Sequence, residues 1–324
     1  MVDLTAVFLL LLPILAQSSP NSLNFCSSPF GYRIIGGRSA TLSKWPWQAL
    51  FFNYGPDGYG TMCGATVLNE RWLLTAAHCV VNATSKSYVN VGIKSLNKAK
   101  KTLKISRIIP HPFFDFNTVQ NDIALLEVAK SIPLGPDIAP VCIVKKDDKL
   151  LASTDVGVVT GFGVSLNQLT PSIFVEEPSD ILLETEVTLQ SGAKCSSKWR
   201  SLSGGTVKVT PSKQLCAGSY FHGTGAGDSG GPLHVQDPAG NLVQVGYAIF
   251  FFKCVGITSF GANSPEGLID QATYPGVYTR VSTFVPWIQS IVGYEEMDTR
   301  NGNGMSSILS SNFLALFIMY YLWQ

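Results

Sequence analysis

This sequence has no excess of charge. Its 23 Lys and Arg stand against 22 Asp and Glu, a net charge of +1 over 324 residues. A general nucleic-acid binder needs a strong basic excess to meet phosphates, so that class is excluded. Charged residues of both signs reach only 14%, too few for a disordered chain or for long charge-laced helices. The seven cysteines allow at most three internal bridges with one left over, and none falls at zinc-ligand spacing. Neither a metal nor a cofactor is called for. Between Ile34 and Tyr294 there is no internal repeat and no low-complexity block. What is present is 46% apolar residues with 30 Gly and 18 Pro, a mixture that favours many short strands joined by turns. The length suits one large domain or two modest ones with a substantial core.

Both ends are apolar, and neither belongs to the expected fold. Val7 to Leu15 is a short hydrophobic run followed by Ala16-Gln17-Ser18, a small-residue pattern for signal peptidase. Residues 1–18 therefore read as a secretory signal peptide. The leader is off-pattern in carrying Asp3 and no Lys or Arg. Entry into the secretory pathway makes disulfides the default state of the cysteines. It also makes Asn82, in the sequon Asn82-Ala83-Thr84, a candidate glycosylation site. At the other end, residues 295–324 run from a polar stretch containing Asn301-Gly302-Asn303-Gly304 into the apolar Phe313 to Trp323. That segment is shorter than the ~20 residues needed to cross a bilayer. Small residues, a polar spacer and a hydrophobic tail resemble a signal for a glycosylphosphatidylinositol (GPI) anchor. The alternative is a membrane-associating tail that is not processed. The expected location is extracellular, secreted or held at the cell surface, with membrane contact only through that tail.

Short β-rich runs alternate with turns in between: Trp47 to Asn53, Thr66 to Thr75, Tyr88 to Ile93, Lys101 to Ile109, Ile123 to Val128, Val156 to Gly161 and Ile181 to Thr188. Their spacing predicts an all-β barrel or sandwich. One late helix is expected over Thr283 to Val292, where Phe284, Trp287, Ile288 and Ile291 follow a three-to-four residue period. The lysines at 94, 98, 100, 101 and 104 read as a solvated face.

Three short segments bear chemistry: Thr75-Ala76-Ala77-His78-Cys79, Asn121-Asp122-Ile123-Ala124, and Gly227-Asp228-Ser229-Gly230-Gly231-Pro232. Singly, each has a dull explanation: a satisfied histidine, a cap at a strand start, a glycine-rich turn. Together, and in this order, they resemble the chymotrypsin-like (trypsin-fold) serine endopeptidases. Arg33-Ile34-Ile35-Gly36-Gly37, Trp45-Pro46-Trp47-Gln48, Thr160-Gly161-Phe162-Gly163, Pro275-Gly276-Val277-Tyr278-Thr279-Arg280-Val281 and Trp287-Ile288 add to the likeness. The resemblance covers Ile34 to about Val292. It implies two six-stranded antiparallel β-barrels packed side by side with a C-terminal helix, the domain being 34–294 and the activation propeptide 19–33.

The chemistry accounts for the residue types. A serine hydroxyl is a poor nucleophile until a base removes its proton. The resemblance assigns that base to His78, its orientation to Asp122, and the nucleophile to Ser229. The N–H groups of Gly227 and Ser229 would form the oxyanion hole. Cleavage after Arg33 would free an Ile34 ammonium to pair with Asp228. The likeness also implies the bridges Cys63–Cys79, Cys195–Cys216 and Cys26–Cys142, the last tethering the propeptide. Expected partners are peptide or protein substrates, a trypsin-like activating protease and protein inhibitors.

There are departures. The family's cysteine four residues before the nucleophile is Gly225 here, and Ala262 to Tyr274 supplies no partner for one. Residues 245–253 interrupt an otherwise ordinary strand, as an exosite loop or as an error in the sequence, and Cys254 is the odd thiol. The pocket positions fall on Gly223, Ser259, Gly261 and Gly276. Gly223 has no charge for a buried cation, so an apolar pocket is expected, unless Glu266 or Asp270 reaches in. Two functions compete: an active endopeptidase, favoured because no catalytic residue is lost, and a catalytically silent homologue acting in binding or regulation.

Overall fold

The computed structural model describes residues 35–165, 177–237, 243–245, 248–250 and 252–293. The signal peptide, the propeptide with Arg33 and Ile34, Cys26, and the C-terminal tail lie outside these residues. Twelve strands build two closed barrels. The first comprises β1 (Gln48–Tyr54), β2 (Gly60–Val67), β3 (Trp72–Thr75), β4 (Tyr88–Ile93), β5 (Ala99–Pro110) and β6 (Ala124–Val128), ordered β1-β2-β3-β6-β5-β4. The second comprises β7 (Val156–Gly161), β8 (Leu183–Gln190), β9 (Gln214–Ala217), β10 (Pro232–Gln236), β11 (Phe252–Phe260) and β12 (Gly276–Arg280). Its ring runs β8-β9-β12-β11-β10-β7, and the pairing of β7 with β8 closes it. Every pairing in both rings is antiparallel, and closure leaves neither barrel with a free edge.

Local chemistry explains where strands break. The Thr66 to Thr75 run, expected as one strand, is two. Asn69 Oδ1 accepts hydrogen bonds from Arg71 N (2.8 Å) and Trp72 N (3.0 Å). This side-chain turn reverses the chain and lets β3 pair back onto β2. The late helix α2 (Val281–Val292) buries Val281, Phe284, Val285 and Ile288 and ends at Gly293 in the left-handed region. An earlier helix, α1 (Gly192–Leu202), had no sequence expectation. Ser191 caps it by accepting from Lys194 N, and Cys195 and Trp199 anchor it. The interrupted strand is also clarified. Phe252 and Lys253 belong to β11, in register with Gln236 and Val235, while 243–245 and 248–250 form a separate two-stranded hairpin.

The barrels are joined by polar links as well as apolar packing. Trp47 Nε1 donates to His234 Nε2 at 2.6 Å, and His234 Nδ1 lies 3.1 Å from the Val158 carbonyl. Burial pushes the His234 imidazole down to about 3, so it is neutral and serves as a two-ended spacer. Thr160 Oγ1 donates to Gln48 Oε1 at 2.7 Å. The five lysines of the solvated face are all exposed.

Candidate active site

Strand register brings the first two residues together. Thr75 at the end of β3 pairs with Ala124 at the start of β6, so the residues just beyond both ends, His78 and Asp122, meet. Cys79, bridged to Cys63 on β2 with Cα atoms 6.2 Å apart, holds the short 3-10 turn His78–Val80 in place. The Asp122 carboxylate is fully buried and accepts three hydrogen bonds: from His78 N at 2.8 Å, from His78 Nδ1 at 2.7 Å, and from Ser259 Oγ at 2.6 Å. A carboxylate is acceptor-only, so the Nδ1 facing it carries the proton and Nε2 keeps a lone pair. Thr279 Oγ1 donates to the Asp122 carbonyl at 2.7 Å. Ser259 and Thr279 both come from the second barrel, which clamps an aspartate belonging to the first.

Ser229 lies on a tight turn between the barrels. Its carbonyl accepts from Gly64 N on β2 at 2.7 Å, and Gly230 N donates to Thr258 O at 2.8 Å. A Cβ on Gly230 would sit 2.3 Å from Thr75 Oγ1 and 3.2 Å from Ala76 N, so the serine's backbone is pinned against the segment leading into His78. No hydrogen bond joins the Ser229 hydroxyl to His78 among the described residues. Instead His78 Nε2 lies 3.6 Å from Cys79 Sγ. Catalytic contacts commonly tighten only when substrate is bound. The Cys63 and Cys79 sulfurs beside this imidazole are joined in a disulfide, so neither is a thiolate for a metal.

The same turn leaves two donors unengaged. Asp228 N donates to Gly225 O at 3.1 Å, whereas the N–H groups of Gly227 and Ser229 on either side meet no acceptor among the described residues. Gly227 has φ +92°, and a Cβ there would lie 3.1 Å from Gly163 Cα. Only glycine suits both demands.

Asp228 turns away from the serine into the second barrel. Its carboxylate accepts from Gly163 N at 2.8 Å and Gly225 N at 3.0 Å. Cβ atoms on Gly161 or Gly163 would come 2.2–2.5 Å from carboxylate atoms of Asp228, which explains the Gly-Phe-Gly spacing. Burial pushes this carboxyl up to about 6, against the pull of the Gly225 and Gly163 N–H groups. Ile35 is buried and bridges to Gly223.

The pocket residues divide. Gly261 and Gly276 face each other, with the Cβ position of Gly261 3.9 Å from Gly276 Cα and nothing nearer. The Cβ position of Gly276 lies 3.2 Å from the Tyr278 hydroxyl and 3.4 Å from Thr224 Oγ1. Ser259 turns its hydroxyl to Asp122 instead of the pocket. Neither acidic alternative reaches in: Glu266 is exposed, and Asp270 accepts from Thr273 N in its own turn at 3.0 Å. Gln271, which sequence reasoning passed over, is there instead. Its Nε2 donates to Thr224 O at 2.7 Å and its Oε1 accepts from Thr224 N at 3.3 Å. The surroundings of Gly223 and Gly276 are therefore neutral, with the Gln271 amide beside Gly223 and the Thr224 and Tyr278 hydroxyls beside Gly276. No motif marks Gln271, and only the charged residues of its loop stood out.

Those hydrogen bonds also stand where the missing bridge would tie two loops, together with Phe221 N donating to Ile269 O at 2.7 Å. Of the expected disulfides, Cys63–Cys79 and Cys195–Cys216 are formed, and the third involves Cys26, outside the described residues. Cys254 is buried, and burial pushes its thiol up to about 12. Asn82 is exposed, with φ +58°. Two cavities, about 390 and 440 Å³, lie elsewhere and include none of His78, Asp122 and Ser229 in their walls.

Comparison with known proteins agrees with this geometry. Residues 34–288 match the sequence model of the Trypsin family. The β subunit of clotting factor G from Tachypleus tridentatus is 30% identical over 268 residues, covering 80% of this chain and 79% of that protein. Serine proteinase stubble from Drosophila melanogaster is 31% identical over 267 residues, covering 79% of this chain but 30% of that protein. Among solved structures, neuropsin, a serine protease expressed in the limbic system of mouse brain, superposes with a TM-score of 0.61 at 26% identity. That match covers 79% of this chain and 98% of neuropsin.

Proposed function

The chain belongs to the trypsin family of serine proteases, and from that premise we propose that it is an active, secreted endopeptidase made as an inactive precursor. The observation that carries this reading is the pairing of Asp122 with the His78 ring at 2.7 Å, near a turn where the N–H groups of Gly227 and Ser229 meet no acceptor among the described residues. His78 Nε2 takes the Ser229 hydroxyl proton as the oxygen attacks the scissile carbonyl. Asp122 holds the imidazole in the tautomer this needs and stabilises the imidazolium that forms. The Gly227 and Ser229 N–H groups receive the negative charge on the carbonyl oxygen. The imidazolium then protonates the leaving amine, and water, deprotonated by the same histidine, releases the acyl group from Ser229.

Activation follows from Asp228. In the intact chain the nitrogen of Ile34 is a peptide amide. Cleavage after Arg33 turns it into an ammonium, the counter-charge that a buried carboxylate lacks. The floor at Gly223 carries no charge, so the enzyme does not cut after its own Arg33 and depends on a trypsin-like activator. Protein inhibitors are expected partners of the open cleft. The leader directs the chain to the secretory pathway, where the disulfides form and Asn82 is glycosylated, and the tail beyond residue 304 is exchanged for a GPI anchor. No helix among the described residues is long and apolar enough to cross a membrane.

The test is labelling by a fluorophosphonate. Cut protein should label and hydrolyse peptides, uncut protein should do neither, and Ser229→Ala should abolish both while the protein stays folded. Equal labelling of cut and uncut protein would sink the precursor mechanism.

A further inference from the structure

We propose that Gln271 is the specificity-determining residue of this enzyme, its carboxamide selecting a neutral side chain that can hydrogen-bond at its tip. The inference deepens the peptidase reading and rests on it. Gly223 is the residue at the pocket floor, and the Gln271 carboxamide occupies the space its side chain would fill. A Cβ on Gly223 would lie 1.8 Å from Gln271 Oε1 and 2.2 Å from Cδ. The floor group is therefore delivered from a different loop, 47 residues on from Thr224.

Gln271 is buried, and the backbone of Thr224 holds its carboxamide in one orientation. It has two N–H donors and an oxygen with two lone pairs. Thr224 engages one donor and one lone pair. One N–H and one lone pair remain, and Thr224, whose backbone holds the carboxamide, has its own hydroxyl 3.3 Å from that of Tyr278. An apolar side chain seated on this floor would leave those groups without a partner, which costs more than a missing methylene does. A lysine or arginine would find no anion. A carboxamide or a phenol satisfies both remaining groups. Glutamine, asparagine and tyrosine before the scissile bond are the side chains that fit.

Matched peptide pairs read this directly: Tyr against Phe, and Gln against Met, on the protein cleaved after Arg33. The hydrogen-bonding member should be cut with kcat/KM higher by about ten-fold or more. Gln271→Met should erase the difference within each pair. Gly223→Ala, whose methyl takes the carboxamide's place, should erase it too and covers the case in which one variant does not fold. Gln271→Glu puts a carboxylate on the floor and should raise affinity for p-aminobenzamidine about ten-fold or more, measured by fluorescence on a Ser229→Ala background where no catalysis is needed. A purely structural latch would give no such gain. If Ser229 labels with fluorophosphonate but the pairs are cut equally, or Gln271→Glu gains no amidine affinity, the role of Gln271 is overturned and the peptidase reading stands. If neither labelling nor hydrolysis occurs, both fall.

Discussion

Replacing Asp228 by asparagine should have opposite effects on stability before and after cleavage at Arg33. Its carboxyl is wholly buried and held only by two backbone N–H groups among the described residues. Burial raises it from 3.8 to about 6. A carboxyl raised in the folded state binds its proton more tightly there than in the unfolded chain, so ionisation destabilises the fold. The cost is full above about 6, shrinks as pH falls, and vanishes below the ordinary value of 3.8. At about 1.4 kcal/mol per unit, the gap amounts to about 3 kcal/mol at neutral pH, of which about half remains at pH 5. In an uncleavable Arg33→Gln background, Asp228→Asn should therefore stabilise the protein by up to about 3 kcal/mol at pH 7, and the gain should fade toward pH 4. In the cleaved protein the same substitution leaves a buried ammonium unpaired and should destabilise by about 3–5 kcal/mol. Urea denaturation of the four proteins across pH 4 to 8 is the assay. The difference between Arg33→Gln and Arg33→Gln/Asp228→Asn cancels the slopes of other carboxylates, such as Glu184. Burial raises Glu184, but its bonds with Lys44, Trp45 and Arg38 outweigh this and hold it low. An uncleaved protein made less stable by Asp228→Asn at pH 7 would refute the reasoning.

Three further outcomes can be checked. Ser259→Ala removes one of three hydrogen bonds on the buried Asp122 carboxylate, a bond to a charged group worth about 1.5–3 kcal/mol. The melting temperature should drop by several degrees and kcat by roughly ten-fold with KM little changed, and an unchanged kcat would show that His78 and Asp122 hold each other unaided. Gly163→Ala places a methyl 2.4 Å from the Asp228 carboxyl carbon and should cost about 1–3 kcal/mol while blocking activation. Labelling of the cut variant at the wild-type rate would contradict this. Phospholipase treatment of expressing cells should release the protease, and mass spectrometry finding Phe313 to Trp323 intact in the mature protein would dismiss the anchor.

Much of the fold was legible because its signals are local. Tyr88–Ile93 and Val156–Gly161 appear as strands with the bounds expected from their composition, and the late helix begins two residues before its periodicity suggested. The division of Thr66 to Thr75 was missed because one asparagine side chain outweighs the β-propensity around it. The hairpin of 243–245 with 248–250 is separate from β11, whose register with β10 runs through Phe252.

By itself the sequence determined which chemistry is present: one histidine, one aspartate and one serine, each in a short motif whose neighbours must be small or apolar for local reasons. The tertiary structure alone decided what surrounds them. Ser259 bonds with Asp122 across 137 residues, and Gln271 bonds with Thr224 across 47. Neither contact leaves a local trace, because barrel closure and loop packing bring the two partners together. A serine or a glutamine in an ordinary surface loop reads the same until the chain is folded. Gly223 is a case in point: the sequence shows a residue without a side chain, and only the fold shows that the Gln271 carboxamide lies against it.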